Sequence, residues 1–447
     1  MLVAVLCVSA TAMQPFDGTS MALCGLELAA GAALVVWMRD KALPWNAAHG
    51  WQWPALVAVS VRLAWVLWAD VAPVSDFAEY CQLGRHLADS GTFGLAGPTA
   101  YRPVGLPALL AVFAWLGWSL PVAASVANAV FAALTVPALA QLGQQAGQRR
   151  AGMLAAWMWA LWPSQIVGSA LVATEPLFLA LLVWAVVCAV AATQALRWHR
   201  WALAAGLLFG LATYVRAHAL AVPLVWGALL LAGGRGQWPQ VLRLAAVAGV
   251  TVLVLVPWGL RNQQALGAFV LTTTNGGVTL VYGNNPVATG GYVALPLPIP
   301  GDTELTRNRN GYALATQWIA AHPLQAIALV PHKWQALLAL QTDEASWALR
   351  SPRLVPLRPV AMGLSQLAWV VAKLLAFVAV WRRRAVLVPA AATAWAAVLA
   401  TWLLIHTAFH GQYRYNAPLL PFVLLLAAVA LVKSERSALP HRSTPPT

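Results

Sequence analysis

The sequence predicts an all-α, polytopic membrane protein of about 11 spanning helices. Three observations carry that prediction. The 447-residue chain is 61% hydrophobic and only 9% charged, and its mean hydropathy of +0.70 is far from that of a soluble globule. Apolar runs of roughly 20 residues recur along its whole length. The basic residues gather in short polar breaks between those runs.

Taken in order, spans are expected at 21–38, 52–73, 121–142, 151–171, 176–195, 201–216, 218–232, 243–260, 358–380, 385–407 and 416–432. The first residues, MLVAVLCVSATAM, are apolar but lack a basic leader. They read as a partly inserted extra segment, and as one further helix if they span, rather than as a cleaved signal. Cys7, Cys24, Cys81 and Cys188 are scattered, with neither zinc spacing nor a disulfide framework.

Charge sets the orientation. Arg39/Lys41, Arg149/Arg150, Arg197/Arg200, Arg235/Arg243, Arg382/Arg383/Arg384 and Lys433/Arg436/Arg442 are expected on the cytoplasmic side. Asp76, Glu79, Asp89, Glu175, Asp302, Glu304, Asp343 and Glu344 fall on the other side. The net charge of +14 is thus a topology signal and calls for no nucleic-acid partner. Parity also decides the run 103–120. If it crossed, every later basic cluster would invert, so it is expected to lie at the outer interface or to re-enter.

Four regions follow: a transmembrane core over 1–260 with a first outer loop at 74–120, an outer cap over 261–350, C-terminal helices over 351–432 and a tail over 433–447. In the first loop, Phe77, Tyr80, Cys81, Gly84, Leu87 and Ala88 share one helical face, which predicts a short amphipathic surface helix. The cap is expected to be mixed. Its segment TTTNGGVTLVYGNNPVATGGYV is turn-rich and β-like, and helices follow over 303–321 and from Pro323 to about Leu340.

Ionisable groups are costly at a membrane, so their clusters mark candidate sites. Asp76, at the exit of a span, is a candidate general base, with Asp70 and Glu79 as rivals. Asp76 and Glu79 also have capping-box spacing, which would account for both. Glu175, in ATEPLFLALL, starts a helix on the same side. Two carboxylates converging there could bind a divalent ion or share base and positioning roles. Arg102, Arg216, Arg261 and Arg414 lie at the outer rim in apolar surroundings, and a guanidinium fork suits phosphate. Glu79, Tyr80, Tyr101, Tyr282, Asn284 and Tyr413 are candidate substrate contacts. Lys373 is expected to snorkel, whereas Arg62 and Glu27 have no evident role.

These stretches occur in an order that resembles the GT-C superfamily of integral-membrane glycosyltransferases. The likeness is greatest to bacterial relatives of protein O-mannosyltransferases and lipid A aminoarabinose transferases. SDFAEYCQLGRHLADSGTFG, AYRPVGLPALLA, ATEPLFLALL, GLLFGLATYVRAHALAVPL, VYGNNPVATGGY and QYRYNAPLLPFVLLLA carry it, over about 75–432. The resemblance implies a polyprenyl-phosphate-linked sugar donor and a lipid, glycan or protein acceptor. It implies a periplasmic active site in a bacterial inner membrane, with an acid of the first outer loop as base (Asp76) and a second acid at Glu175. Arg102, Arg216 and Arg414 would then hold the donor phosphate. Three departures stand out, one of them the apolar segment 21–38 ahead of the family's usual first span. Val104 follows Arg102-Pro103 where the family often has a second proline, and the second acid is Glu where several branches have Asp, which leaves metal use open. A lipid-sugar flippase and a polysaccharide polymerase or ligase using a lipid diphosphate are the alternatives. The first would call for an internal repeat, and none is visible.

Overall fold

The computed structural model describes residues 50–234, 237–383 and 389–432. The expected span 21–38, Glu27, Cys7, Cys24 and the tail 433–447 lie outside them. Among the described residues every regular element is a helix. In chain order these are α1 (Gln52–Ala69), α2 (Asp76–Ser90), α3 (Gly105–Trp115), α4 (Leu120–Gln145), α5 (Arg149–Ala160), α6 (Pro163–Gly168), α7 (Glu175–Gln194), α8 (Trp198–Val215), α9 (Ala221–Ala232) and α10 (Trp238–Leu266). Then follow α11 (Gly276–Gly283), α12 (Glu304–Ala321), α13 (Pro323–Leu338), α14 (Asp343–Ala348), α15 (Arg358–Arg383), α16 (Pro389–Ala408) and α17 (Leu420–Leu431). A 3₁₀ turn over Tyr413–Leu419 leads into α17.

Seven of these helices are long and apolar enough to cross a membrane, or eight if the bent pair α12–α13 counts as one span. The chain is therefore a multi-pass membrane protein. Three expected spans fall short of that test. The 151–171 stretch breaks into α5 and α6 because Pro163 forces Trp162 into an extended conformation. The 18-residue α8 carries Arg200, and 217–232 is a short 3₁₀–α unit. The 11-residue α3 is only about 16 Å long, too short to cross.

The most buried helices, α7 and α17, form the centre, and α4, α5, α8 and α15 surround them. Close packing relies on small residues. On α8, Gly206 and Gly210 meet Val250 and Val254 of α10, where an added Cβ would come within 2.4 and 2.6 Å of those side chains. Outside this bundle, α2 buries Phe77, Tyr80, Leu83 and Gly84 against α3, as its amphipathic pattern predicts.

The β-like reading of the 261–350 region does not hold, for no strand occurs among its described residues. Asn275-Gly276-Gly277 opens helix α11 instead of turning a hairpin. Gly277 serves close approach: a Cβ there would lie 1.9 Å from the Asn308 carbonyl of α12.

Four cations of the core share one arrangement. Arg62, 1% exposed, donates to the carbonyls of Trp159 (3.2 Å) and Ala160 (2.9 Å) at the end of α5. Lys373 donates to Leu338 (2.8 Å) at the end of α13. Lys333 donates to Thr407 (3.1 Å) and Ala408 (3.0 Å) at the end of α16. Arg243 donates to Ala192 (3.3 Å) and Thr193 (2.9 Å) at the end of α7. Each donates to carbonyls at the negative end of a helix. Lys373 thus points to a helix end, and Arg62 gains a role that its sequence context did not suggest.

Candidate active site

Asp76 is the first residue of α2, preceded by Ser75 with φ of 52°, and no capping box forms. Its carboxylate and that of Glu79, one helical turn on, both face Arg102. Arg102 Nη2 donates to Asp76 Oδ1 (2.7 Å) and to Glu79 Oε2 (2.7 Å), and its Nε also donates to Glu79 Oε2 (3.0 Å). The ring faces of Tyr80 and Tyr101 lie 6.0 and 5.7 Å from the same guanidinium. Burial by itself would lower the pKa of Arg102, but the Glu79 hydrogen bond and the nearby acids outweigh it and hold the pKa above its ordinary value.

The loop carrying Arg102 is fixed from two sides. Arg261 donates to the carbonyls of Thr99 (2.8 Å) and Phe93 (2.9 Å). Glu304, which opens α12, accepts from the Ala100 amide (2.8 Å) and the Thr99 hydroxyl. Arg261 is therefore a loop anchor and not part of the ion-pair cluster.

Glu175 opens α7 after the irregular stretch 169–174. Asn128 of α4, itself buried, donates to the carbonyls of Ser169 (3.1 Å) and Leu171 (2.8 Å) in that stretch. Non-helical backbone among spanning helices needs such partners. Glu175 Oε1 accepts from Arg414 Nε (3.0 Å) and, at close range, from Arg216 Nη2. Its Oε2 accepts from Thr174 (3.2 Å), which in turn accepts from Arg216 Nε (3.0 Å). Arg414 then reaches back, with Nη1 3.7 Å from Asp76 Oδ2.

The result is one alternating line, Glu79–Arg102–Asp76–Arg414–Glu175–Arg216. Residues far apart in sequence meet in it through α2, the loop before α3, α7, the end of α8 and the turn before α17. Every oxygen of Glu175 is engaged and its side chain is 10% exposed, whereas that of Asp76 is 33% exposed. Asp70 ends α1 in a left-handed conformation, is exposed and takes no part.

The other expected contacts divide. Tyr101 and Tyr282 line one cleft of about 950 Å³. Asn284 is buried, accepting from Lys333 (2.9 Å) and donating to Leu280 (2.9 Å) and Ala408 (2.7 Å), so it stitches α11, α13 and α16 together. Tyr413 only begins the 3₁₀ turn, while its neighbour Tyr415 puts its ring 5.6 Å from the Arg216 guanidinium. Tyr413 and Tyr415 both flank Arg414 in sequence, so adjacency marked the pair without choosing between them.

Asp343 and Glu344 entered the sequence reading only as topology markers. They lie with Gln165, Trp347, Glu175 and Arg414 around a cavity of about 30 Å³, room for about one water. Glu344 Oε2 is buried without a hydrogen-bond partner. Burial pushes the Glu344 pKa up to about 8 and also raises that of Asp343.

Among the described residues no three His, Cys, Asp or Glu side chains are grouped to hold a metal ion. Asp76 and Glu175, the expected pair, each face arginines that already offset their charge. That donor set does not fit a divalent cation.

Two likenesses bear on the class of the protein, one of the segment 121–272 and one of the fold. Residues 121–272 match the family model described as dolichyl-phosphate-mannose-protein mannosyltransferase. The fold is similar to that of the oligosaccharyltransferase AglB of Archaeoglobus fulgidus. The apo form gives a TM-score of 0.53 at 13% identity, covering 87% of this chain and 51% of that one. The complex with an inhibitory peptide and a dolichol-phosphate gives 0.50 at 13% identity, covering 86% and 50%. This chain thus spans about half the length of those proteins. ArnT of Cupriavidus metallidurans bound to undecaprenyl phosphate gives 0.41 at 15% identity, covering 86% and 77%. No curated protein matches the chain by sequence.

Proposed function

We propose that the protein transfers a sugar from a polyprenyl-phosphate carrier to an acceptor hydroxyl, with inversion, at the outer face of a bacterial inner membrane. In this reading 1–260 and 351–432 form the membrane core, 261–350 is the outer cap and 433–447 is a cytoplasmic tail. The supporting observation is that Arg414 bridges Asp76 and Glu175, joining a carboxylate that is one-third exposed to a fixed set of guanidinium groups.

Asp76 takes the proton from the acceptor hydroxyl. The acceptor oxygen bonds to the anomeric carbon from the face opposite the phosphate. The bond from carbon to phosphate oxygen breaks, and its electron pair leaves with the phosphate. Arg102, Arg216 and Arg414 stabilise that growing charge. Glu175 holds Arg216 and Arg414 in place. The line contains three acids and three arginines and is formally balanced at rest. Once protonated, Asp76 no longer offsets Arg102 and Arg414, so positive charge is released to the phosphate as the phosphate gains negative charge. Base and phosphate clamp are thereby coupled through shared guanidinium groups.

The test is transfer by purified protein from lipid monophosphate and lipid diphosphate sugars, with and without Asp76→Asn. Turnover with the monophosphate donor that collapses in the variant supports the reading. A preference for the diphosphate donor points to a polymerase or ligase, and unchanged transfer in Asp76→Asn removes Asp76 as the base.

A further inference from the structure

The cleft beside Arg102 has a character of its own. Tyr282 and Tyr292 meet edge to face, with ring centroids 4.9 Å apart. Tyr292 is 56% exposed, so its ring is open to a ligand in the cleft. Tyr101, next to Arg102 in sequence, completes the aromatic wall, and Thr99, Glu304 and Arg307 bring polar groups to the same cleft. Thr99, Tyr101, Glu304 and Arg307 also border a second cleft of about 620 Å³, which contains Glu79 and Arg102. The two openings therefore adjoin along Tyr101, at one end of the ion-pair line.

We propose that the tyrosine-lined cleft is the seat of the acceptor and that the acceptor is a carbohydrate. This rests on the transferase reading above and adds the acceptor's chemical class. A sugar ring has an apolar C–H face and a rim of hydroxyls. The first matches the open tyrosine rings, and the second matches the tyrosine hydroxyls, Thr99 and Arg307. A volume of about 950 Å³ lies within the usual range for small-ligand sites. A peptide fits less well. Extended peptides dock by pairing their main chain with a free strand edge. Here the wall over 295–300 has Pro296, Pro298 and Pro300, which lack every second backbone donor. An acyl chain would leave the Glu304 and Arg307 charges facing hydrocarbon. With the acceptor seated here, its attacking hydroxyl approaches past Tyr101 toward Asp76, while its remaining rings stay on the Tyr282–Tyr292 pair.

The experiment uses the full chain in lipid nanodiscs on paired arrays of bacterial glycans and Ser/Thr-containing peptides. Binding of undecaprenyl phosphate is measured alongside. The expected result is retention on glycans that weakens about tenfold in Tyr292→Ala while undecaprenyl phosphate binding is unchanged. The exposure of Tyr292 keeps that substitution away from the packed core, and lipid binding reports that the variant is folded. The proposal is overturned by absence of glycan retention, by retention that Tyr292→Ala and Tyr282→Ala leave intact, by retention on peptides alone, or by loss of both ligands together. The donor reading has a separate check: undecaprenyl phosphate binding that survives Arg216→Gln removes it, whatever the arrays show.

Discussion

The protein handles buried positive charge in two ways, at opposite extremes of the same chemistry. In the core, Arg62, Arg243, Lys333 and Lys373 each end on backbone carbonyls at a helix C-terminus, with no carboxylate involved. In the ion-pair line, Arg102, Arg216 and Arg414 end on carboxylates. A carbonyl cap has a fixed partial charge and cannot titrate, so it acts as a permanent staple between helices. A carboxylate can take a proton or yield its guanidinium to another anion. The partner, more than the cation, separates scaffold from chemistry.

Mutation can break that division, and the largest effect is expected at Asp76. Asp76→Asn keeps the shape and removes the base, so transfer should fall by ~10²–10⁴-fold. Initial rates at saturating donor measure it, and donor affinity should not fall, because the neutral side chain leaves Arg102 and Arg414 free for the phosphate. Next come Arg216→Gln and Arg414→Gln. Charge-assisted hydrogen bonds contribute about 1.5–3 kcal/mol each, so undecaprenyl phosphate binding should weaken by about 10–100-fold. A defect confined to the acceptor side would place these arginines away from the phosphate.

The core cations should behave in the opposite way. Arg62→Met removes the charge together with its caps on Trp159 and Ala160, and keeps much of the side-chain volume. It should cost about 1–3 kcal/mol of stability through the lost donors to those carbonyls. Thermal unfolding in detergent reads that loss, while the transfer rate per folded molecule should not change. A fall in rate without a fall in stability would erase the distinction between the two sets.

Much of the rim was legible in the sequence because charge is scarce in this chain. Asp76, Glu79, Arg102, Glu175, Arg216 and Arg414 stood out against apolar surroundings, and helix parity put them on one side. Their pairing could not be read, since it depends on how α2, α7 and the turn before α17 converge. Local pattern misled where tertiary packing overrode it. Asn275-Gly276-Gly277 has turn chemistry, yet its glycines serve a close helix crossing. Asp76 and Glu79 have capping-box spacing, yet both side chains turn to Arg102. Arg62 looked like an isolated mid-span charge because carbonyl caps leave no trace in sequence. Tyr413 and Tyr415 were indistinguishable until the 3₁₀ turn set which ring faces Arg216.

The last expected effect, seen only as pH is varied, concerns Glu344, which belongs to neither set: it is an acid beside the site with no cation of its own. Burial raises its pKa from 4.5 to about 8. Below pH 4.5 the carboxyl is protonated whether the chain is folded or not, and it adds no pH dependence. Between that value and about 8 the folded chain keeps a proton that the unfolded chain releases. The folded state binds more protons there, so stability falls as pH rises across the interval. Glu344→Gln holds the neutral shape at every pH. Its thermal midpoint should match that of the unmodified protein near pH 5 and exceed it near pH 8. Equal midpoints at pH 8 would mean that Glu344 is already ionised in the fold, with Arg414 across the small cavity as the nearest source of compensation. In that case Arg414 would serve three acids, and Arg414→Gln should lower stability most at high pH.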